Sequence, residues 1–293
     1  MAPPSEATEP GRLYVVATPI GNLEDITLRA LRVLKEVDLI AAEDTRRTRR
    51  LLVHYNISTP LTSYYDQIER KKAPALLDKL RAGQSIGLVS DAGTPGIADP
   101  GYRLVQGAWQ AGVCVVPVPG PSMLTALLSI GGLPTDRCAF EGFLPAKQGQ
   151  RRKALLRLQT ETRTLVVFES PHRLAESLAD MCDILGDRPA VIGRELTKRF
   201  EEVLRGRLSE LQTRLHGRPI KGEVALLVAG CDEQQTPLDA LALGHHIDQL
   251  AAEGLALKDI ARILSQRHGL SRREVYALGV RMKKAENRAG EAS

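Results

Sequence analysis

Ile86-Gly87-Leu88-Val89-Ser90-Asp91-Ala92-Gly93-Thr94-Pro95-Gly96-Ile97-Ala98-Asp99-Pro100-Gly101 is the stretch that decides the fold class. It opens on a short apolar run and passes directly into a turn of glycine, proline and aspartate. Glycine lets backbone take positive φ or approach a ligand closely, and proline holds such a turn stiff. In open α/β sheets, ligands bind beyond the carboxyl ends of the strands. The stretch therefore reads as a strand that delivers a binding loop. Two further turns repeat the plan. Ala17-Thr18-Pro19-Ile20-Gly21-Asn22-Leu23 follows an apolar run at 13–17, and Val118-Pro119-Gly120-Pro121-Ser122 follows one at 113–118. Three such turns at one sheet edge suit a nucleoside: backbone groups pair with an adenine edge, and the carboxylates of Asp91 and Asp99 face a cation.

Outward from these turns, strand candidates at 13–17, 39–42, 86–90, 113–118, 165–169, 190–195 and 224–229 alternate with helix candidates. The helices fall at 27–36, 45–54, 75–82, 102–111, 122–130, 152–159, 173–184 and 208–215. That alternation predicts an α/β architecture with mostly parallel sheets. The strand runs are almost wholly apolar, as sheets covered on both faces require. The organisation reads as a disordered tail at 1–11, an α/β domain at 12–118, a second at 119–230, and a helical domain at 238–288. The polar stretch 231–237 serves as the linker before the last.

Composition is that of an ordinary globular protein, 43% hydrophobic and 26% charged over 293 residues. The net charge of +5 suits an anionic partner. Cys114, Cys138, Cys182 and Cys231 form no CxxC pair, which counts against a zinc site or a disulfide framework and fits a cytoplasmic protein. The six histidines show no metal-ligand spacing, so no metal is expected. No stretch approaches the roughly 20 apolar residues of a membrane span, and the first ten residues do not read as a secretory signal. GxGxxG after a strand, GxxxxGK[ST], HExxH and GxSxG are all absent, which disfavours dinucleotide, P-loop, metalloprotease and α/β-hydrolase chemistry.

Basic residues concentrate in three places. Arg46, Arg47, Arg49 and Arg50 crowd a helix start with only Glu43 and Asp44 nearby as partners. Arginine matches phosphate geometry, so this run reads as an RNA contact. Lys147, Arg151, Arg152 and Lys153 read as a basic loop over the cleft between the domains. From residue 258 to 288 there are nine basic and three acidic residues, Arg272 and Arg273 among them. There Leu257, Ile260, Ile263 and Leu264 share one helix face, Gly269 stops the helix, and Ser271 with Glu274 forms a capping box for the next. This is a helix-turn-helix pattern, suited to nucleic-acid docking or to packing in a dimer.

Seven blocks occur in order: Ala17–Leu23, Ala42-Glu43-Asp44-Thr45-Arg46, Ser90–Gly101, Pro119-Gly120-Pro121-Ser122, Phe168-Glu169-Ser170-Pro171-His172-Arg173, Gly193-Arg194-Glu195-Leu196-Thr197-Lys198 and Lys221-Gly222-Glu223. Together they resemble the RsmI family, the small-subunit ribosomal RNA (cytidine 2′-O)-methyltransferases of the tetrapyrrole methylase superfamily. The resemblance runs from about residue 13 to 281. It implies a two-domain tetrapyrrole-methylase-like fold with a small C-terminal all-α domain, S-adenosylmethionine bound between the domains, and a homodimer. It also implies methylation of the ribose of a decoding-centre cytidine in 16S rRNA within the small ribosomal subunit. Carried over by position, the donor pocket uses Thr18, Pro19, Asp91, Gly93, Thr94, Ile97, Gly120 and Ser122. Phe168, Glu223 and Val224 complete it from the second domain.

Methyl transfer from a sulfonium to an alcohol needs in-line alignment and a group that takes the hydroxyl proton. Glu43, Asp44, Glu169, Glu195 and Lys198 are the candidates, each at or just past a strand end. Asp44 equally suits a helix cap, and Glu195 with Lys198 equally suits a surface ion pair. Two other functions fit the same fold: a methyltransferase acting on a tetrapyrrole or other small substrate, and a non-catalytic nucleoside sensor that binds nucleic acid.

Overall fold

A computed structural model describes residues 10–231, 240–252, 255–268 and 271–290. The expected N-terminal tail, the 231–237 linker beyond Cys231, and the Gly269 helix stop lie outside the described residues. The first half carries β1 (Arg12–Val16), α1 (Leu28–Glu36), β2 (Leu39–Ala42), α2 (Thr45–His54), β3 (Leu61–Ser63), α3 (Asp66–Arg81), β4 (Ile86–Val89), α4 (Tyr102–Gln110) and β5 (Cys114–Val118). Its five strands are all parallel in the order β3-β2-β4-β1-β5. One face packs on α1 and α2 through Val16, Leu34, Ile40 and Leu52. The other packs on α3 and α4 through Leu13, Leu80, Ile86 and Leu104. The chain leaves β1 toward β2 on one side and leaves β4 toward β5 on the other. These adjacent strands therefore flank a topological switch point, where such sheets open a crevice.

The second half carries α5 (Met123–Gly131), β6 (Cys138–Phe143), α6 (Gln148–Arg157), β7 (Thr164–Glu169), α7 (Leu174–Leu185), β8 (Pro189–Arg194), β9 (Glu202–Arg207), α8 (Leu208–Leu215) and β10 (Val224–Val228). The strand order is β6-β7-β10-β8-β9. Here the expectation of a mostly parallel sheet is corrected. Only β6 and β7 run parallel, while β10 is antiparallel to both β7 and β8, and β8 to β9. The reason is connection length. Only a seven-residue turn joins β8 to β9, whereas a parallel neighbour needs a crossover of a dozen residues or more. One face of this sheet packs on α6, α7 and α8. The other receives α5, which ties the halves together: a Cβ on Gly131 would lie 2.3 Å from Leu227 Cδ1, so only glycine allows that approach.

The described C-terminal residues form α9 (Ala240–Ala252), α10 (Leu257–His268) and α11 (Arg272–Gly290). Leu243, Ile247, Ile260, Ala261, Leu264 and Val275 give them a core of their own. Among the described residues no helix is long and apolar enough to cross a membrane.

Candidate active site

The turns after β1 and β4 are tied to each other at the switch point. Thr18 N donates to Gly93 O at 2.8 Å and Gly93 N donates to Thr18 O at 2.9 Å, while Thr18 Oγ1 reaches Ser90 O at 3.2 Å. Gly93 sits at φ +79, Gly96 at +81 and Ala98 at +62. For alanine that conformation stores strain of about 1–3 kcal/mol, which the surrounding contacts must hold. The far end of the loop is held by Glu69, a buried carboxylate on α3. Its Oε1 accepts from Gly101 N at 3.1 Å, Arg103 N at 3.2 Å and Tyr64 Oη at 3.1 Å. The loop is thus fixed at both ends.

The β2–α2 turn is laced to the same loop. Asp91 N donates to Glu43 Oε2 at 3.1 Å, Asp44 N donates to Asp91 Oδ1 at 2.9 Å, and Arg47 pairs with Asp91 Oδ2 at 3.3 Å. Asp44 itself caps α2, accepting from Arg46 N at 2.8 Å and pairing with the Arg46 guanidinium.

A cleft of about 470 Å³ opens between these turns and the second sheet. Glu43, Asp91, Gly93, Thr94, Ile97 and Ser122 form its first wall, with Ala98 and Asp99 beside them. Phe143, Phe168, Glu169, Gly222, Glu223 and Val224 form the second. The second wall is braced from behind. Glu195 Oε1 accepts from Glu223 N at 3.0 Å and from Lys198 Nζ at 2.8 Å, and Lys198 also reaches Glu223 Oε2 at 3.2 Å. Gly222, at φ +91, admits Glu195 because a Cβ there would lie 2.3 Å from the carboxyl carbon. Glu195 and Thr197 adopt positive φ in this turn. Thr197 Oγ1 accepts from Asn22 N at 3.1 Å, linking the brace to the first half.

The electrostatics separate the carboxylates. Burial raises the Glu43 carboxyl, reinforced by the charges of Asp91 and Asp66 and opposed by the Asp91 N–H and Arg47. Burial pushes Asp99 further, to about 7, and the neighbouring Glu43 charge adds to it. Glu195 goes the other way: burial acts upward, but the Lys198 ammonium and the Glu223 N–H outweigh it. For Lys198, burial acts downward and is outweighed by Glu195 and Glu223, so the ammonium is held more firmly than usual. Lys198 is therefore held as a cation, with no free lone pair, which counts against it as a candidate to take the hydroxyl proton. Glu169 is fully committed: its oxygens accept from Ser170 N at 2.7 Å and Ser177 Oγ at 2.5 Å, and Arg173 pairs at 2.6 Å. Among the described residues no cluster of His, Cys, Asp and Glu is arranged to hold a metal ion.

Of the residues expected at a donor pocket, Asp91, Gly93, Thr94, Ile97, Ser122, Phe168, Glu223 and Val224 line the cleft. Thr18, Pro19 and Gly120 stand outside its lining. Thr18 is buried and acts through its bridge to Gly93, and Gly120 is a packing glycine whose Cβ would come within 3.1 Å of Ala17 Cβ. Of the proton-acceptor candidates, Glu43 and Glu169 line the cleft, and Asp44, Glu195 and Lys198 do not. Arg47 lies on the cleft wall, while Arg46, Arg49 and Arg50 line an adjoining surface hollow with Thr45 and Val53. Arg272 and Arg273 share a groove with Lys258, Arg262 and the half-exposed Tyr276.

The basic segment 147–153 is a correction. It is not a loop over the cleft: residues from Gln148 belong to α6, and the Arg151 side chain is 0% exposed. Arg151 pairs with Asp180 at 2.7 Å and with Glu176 at 3.4 Å, and Arg152 pairs with Asp180 at 3.0 Å and with Asp183. Arg151 cannot reach RNA, and among the described residues Lys147 and Lys153 of the segment form no ion pair with a carboxylate. Sequence pattern assigns Asp99 no part in proton transfer and does not mark Phe143 as a site residue. Asp99 stood out only as a carboxylate in a loop, and Phe143 gave no signal at all.

Residues 12–212 match the family model described as Tetrapyrrole (Corrin/Porphyrin) Methylases. Ribosomal RNA small subunit methyltransferase I of Vibrio cholerae is 49% identical over 274 residues, covering 92% of this chain and 94% of that protein. The protein of the same name from Halalkalibacterium halodurans is 45% identical over 270 residues, covering 91% and 93%. Among solved structures, uroporphyrin-III C-methyl transferase from Thermus thermophilus, complexed with S-adenyl homocysteine, superposes with a TM-score of 0.53 at 24% identity, over 74% of this chain and 97% of that one. A diphthine synthase superposes at 0.57 and 17% identity, over 75% and 90%. At those identities the two structures attest the shared fold.

Proposed function

The chain belongs to the tetrapyrrole methylases, and on that premise we propose that it methylates small-subunit ribosomal RNA, at the ribose 2′-hydroxyl of a decoding-centre cytidine, with S-adenosylmethionine as donor. One observation carries the choice of substrate. The helix that holds Arg47 against the cleft, α2, presents Arg46, Arg49 and Arg50 on the adjoining surface. A polyanion bound there lies beside the donor site, and a small substrate needs no such surface.

The cleft residues fit the donor. S-adenosylmethionine supplies an electrophilic methyl group on a cationic sulfur. The carboxylates of Glu43, Asp91 and Asp99 suit a cation, and Phe168 offers an apolar ring. Glu223 lines the cleft with its Oε2 held by the Lys198 ammonium at 3.2 Å. Thr18 and Gly93 fix the first wall, and Glu195 with Lys198 fixes the second. The role of proton acceptor falls to the pair Glu43 and Asp99. Both line the cleft; burial raises the Glu43 carboxyl, and burial together with the Glu43 charge pushes Asp99 up to about 7, where a general base works best. Asp44 acts as a helix cap, and Glu169 holds the β7–α7 turn.

Residues 12–118 and 119–230 would act as the two halves enclosing the donor, with 238–288 as a docking module that brings Arg272 and Arg273 to the RNA. We infer a homodimer in the cytoplasm acting on the assembled small subunit. Tyr102 and Trp109, 67% and 74% exposed on α4, support a face that a second copy covers. The test is transfer of labelled methyl to small subunits from cells lacking this activity, with mapping of the product. Incorporation at one cytidine 2′-oxygen is the expected result. Tight donor binding with no transfer to RNA would return the assignment to a small substrate or a sensor.

A further inference from the structure

A cleft that handles a nucleic acid must hold the acceptor nucleotide as well as the donor, and none of the residues assigned so far holds its base. The second wall contains one that does not fit a donor pocket. Phe143 lines the cleft, yet it is 56% exposed. An aromatic ring left that open at a binding site has no folding reason to be there.

The backbone shows how it came to point there. In β6, Phe140 pairs with Val166 of β7, but Gly142 pairs with Val167 and Phe143 with Phe168. Glu141 is the extra residue of a β-bulge, and Gly142 takes φ +61 to form it. Strand side chains alternate between faces. Without the bulge, Phe140 and Gly142 would share a face and Phe143 would turn to the other, toward the core that contains Leu165 and Val167. The inserted residue reverses that parity. Phe143 joins Phe140 and Phe168 on the cleft face, and its ring stands edge-on to Phe168 at 5.8 Å, with Phe140 at 5.0 Å on the same ring. Bulges re-aim side chains beside active sites. Leu144 then returns to the core, so Phe143 is the one exposed aromatic of the strand.

We propose that Phe143 is the stacking platform for the base of the nucleotide that receives the methyl group. The inference rests on the ribosomal RNA reading above. Phe168, deeper in the wall and partly buried, serves the donor side and supports the Phe143 ring from its edge. An open aromatic face binds a splayed-out base of single-stranded RNA through stacking. It requires no hydrogen-bond readout, so the base specificity must come from elsewhere in the cleft.

The experiment uses the full chain with Phe143→Ala, Phe143→Leu and Phe143→Tyr. S-adenosylhomocysteine binding is measured by calorimetry. The small-subunit concentration giving half-maximal methyl transfer is measured under single turnover. The expected result is that Phe143→Ala binds S-adenosylhomocysteine within about twofold of wild type and needs roughly tenfold more subunits, the loss of one base stack. Phe143→Tyr should restore the wild-type value, and Phe143→Leu, equally apolar but without a π face, should not. Weakened S-adenosylhomocysteine binding in Phe143→Ala would assign the ring to the donor's adenine instead and overturn the proposal. Full rescue by leucine would overturn it as well, and so would an unchanged subunit requirement in Phe143→Ala. A wild-type chain that transfers nothing to subunits defeats the ribosomal RNA reading and this inference together; active wild type with an indifferent Phe143→Ala defeats this inference alone.

Discussion

Two arginine-rich helix starts look alike in sequence and have opposite fates. In α2, Arg46, Arg49 and Arg50 face solvent, and Arg47 reaches the cleft with Asp91 as its partner. In α6, Arg151 is sealed in the core and Arg152 is half occupied by carboxylates of α7. The difference does not lie in the basic runs themselves. It lies in α7, which presents Glu176, Asp180 and Asp183 at three- and four-residue spacing and so stacks three carboxylates along one face. α2 meets only the single carboxylates of Asp44 and Asp91, which take Arg46 and Arg47, and among the described residues Arg49 and Arg50 form no ion pair. A cationic run stays open to solvent only where the fold supplies too few anions for it, and that is a fact about packing neighbours some thirty residues away in the chain.

The sharpest way to break the comparison is to remove the buried cation. Arg151→Met leaves Asp180, itself only 3% exposed, as a buried carboxylate with one half-exposed partner. Losing one member of a buried pair costs about 3–5 kcal/mol. The urea midpoint should fall accordingly, while binding of a short single-stranded RNA by the fraction still folded stays at the wild-type level. An RNA defect at full stability would restore the segment to the binding surface.

The contrast extends to the carboxylates. Burial alone would raise Asp180, but Arg151 and Arg152 hold it below its ordinary value. Asp99 in the cleft has no arginine to offset its burial and titrates at about 7. The consequence for rate has a definite sign. A proton acceptor works ionised, so single-turnover transfer should climb as pH rises through about 7 and level off above it. Asp99→Asn should lower the plateau by about a hundredfold or more and remove the climb. Glu43→Gln should also slow transfer, and it should lower the midpoint that Asp99 retains, because the neighbouring charge is gone. A climb that persists unchanged in both variants would assign the titration to another group, and wild-type rates with no dependence on pH would mean that alignment alone drives the reaction.

What the sequence made legible follows the same division between local and distant causes. The central strands β1, β2, β4, β7, β8 and β10 announce themselves as apolar runs, because both their faces are covered, and β5 carries such a run although it lies at a sheet edge. The strands that did not, β3, β6 and β9, lie at sheet edges. Leu61-Thr62-Ser63 is too short, and Glu202 to Arg207 is too polar, to carry a strand signal without knowledge of its neighbour. α3 runs through Pro74, which reads locally as a break. At the site, the loop blocks were visible because turn chemistry is local: Gly93 must be glycine for its φ of +79, and Gly222 for both its φ of +91 and the close approach of Glu195. The proton affinity of Asp99 was not visible, since burial creates it, nor was the aim of Phe143, since a single inserted residue in β6 decides it.

On the α2 side, the comparison predicts a loss of affinity without loss of fold. Arg49→Gln with Arg50→Gln removes two exposed cations. Affinity for single-stranded RNA should fall by about tenfold at moderate salt, and the slope of log K against log salt should shrink by about 1–2. Neither side chain packs into the core, so the urea midpoint should not move. Equal affinity at every salt concentration would show that these arginines do not touch the phosphate backbone.

The smallest effect tests where the two regions meet in kind. Arg152 is 40% exposed, yet it pairs with Asp180 and Asp183. If partners alone decided the matter, Arg152→Gln would behave like Arg151→Met. If burial decides it, solvent screens the pair and the loss is slight. Burial is the stronger determinant here. Arg151 already neutralises Asp180 through a 2.7 Å contact that is closed to water, and Arg152 meets the same carboxylate from its open side. The thermal midpoint of Arg152→Gln should therefore move by no more than about 2 °C. RNA affinity should also change little, because the guanidinium is already committed to α7 and offers phosphate only what Asp183 releases. A large midpoint drop would mean that α6 and α7 are clamped by the whole arginine pair, and the line between a structural cation and a free one would then run through Lys153 rather than between the two helices.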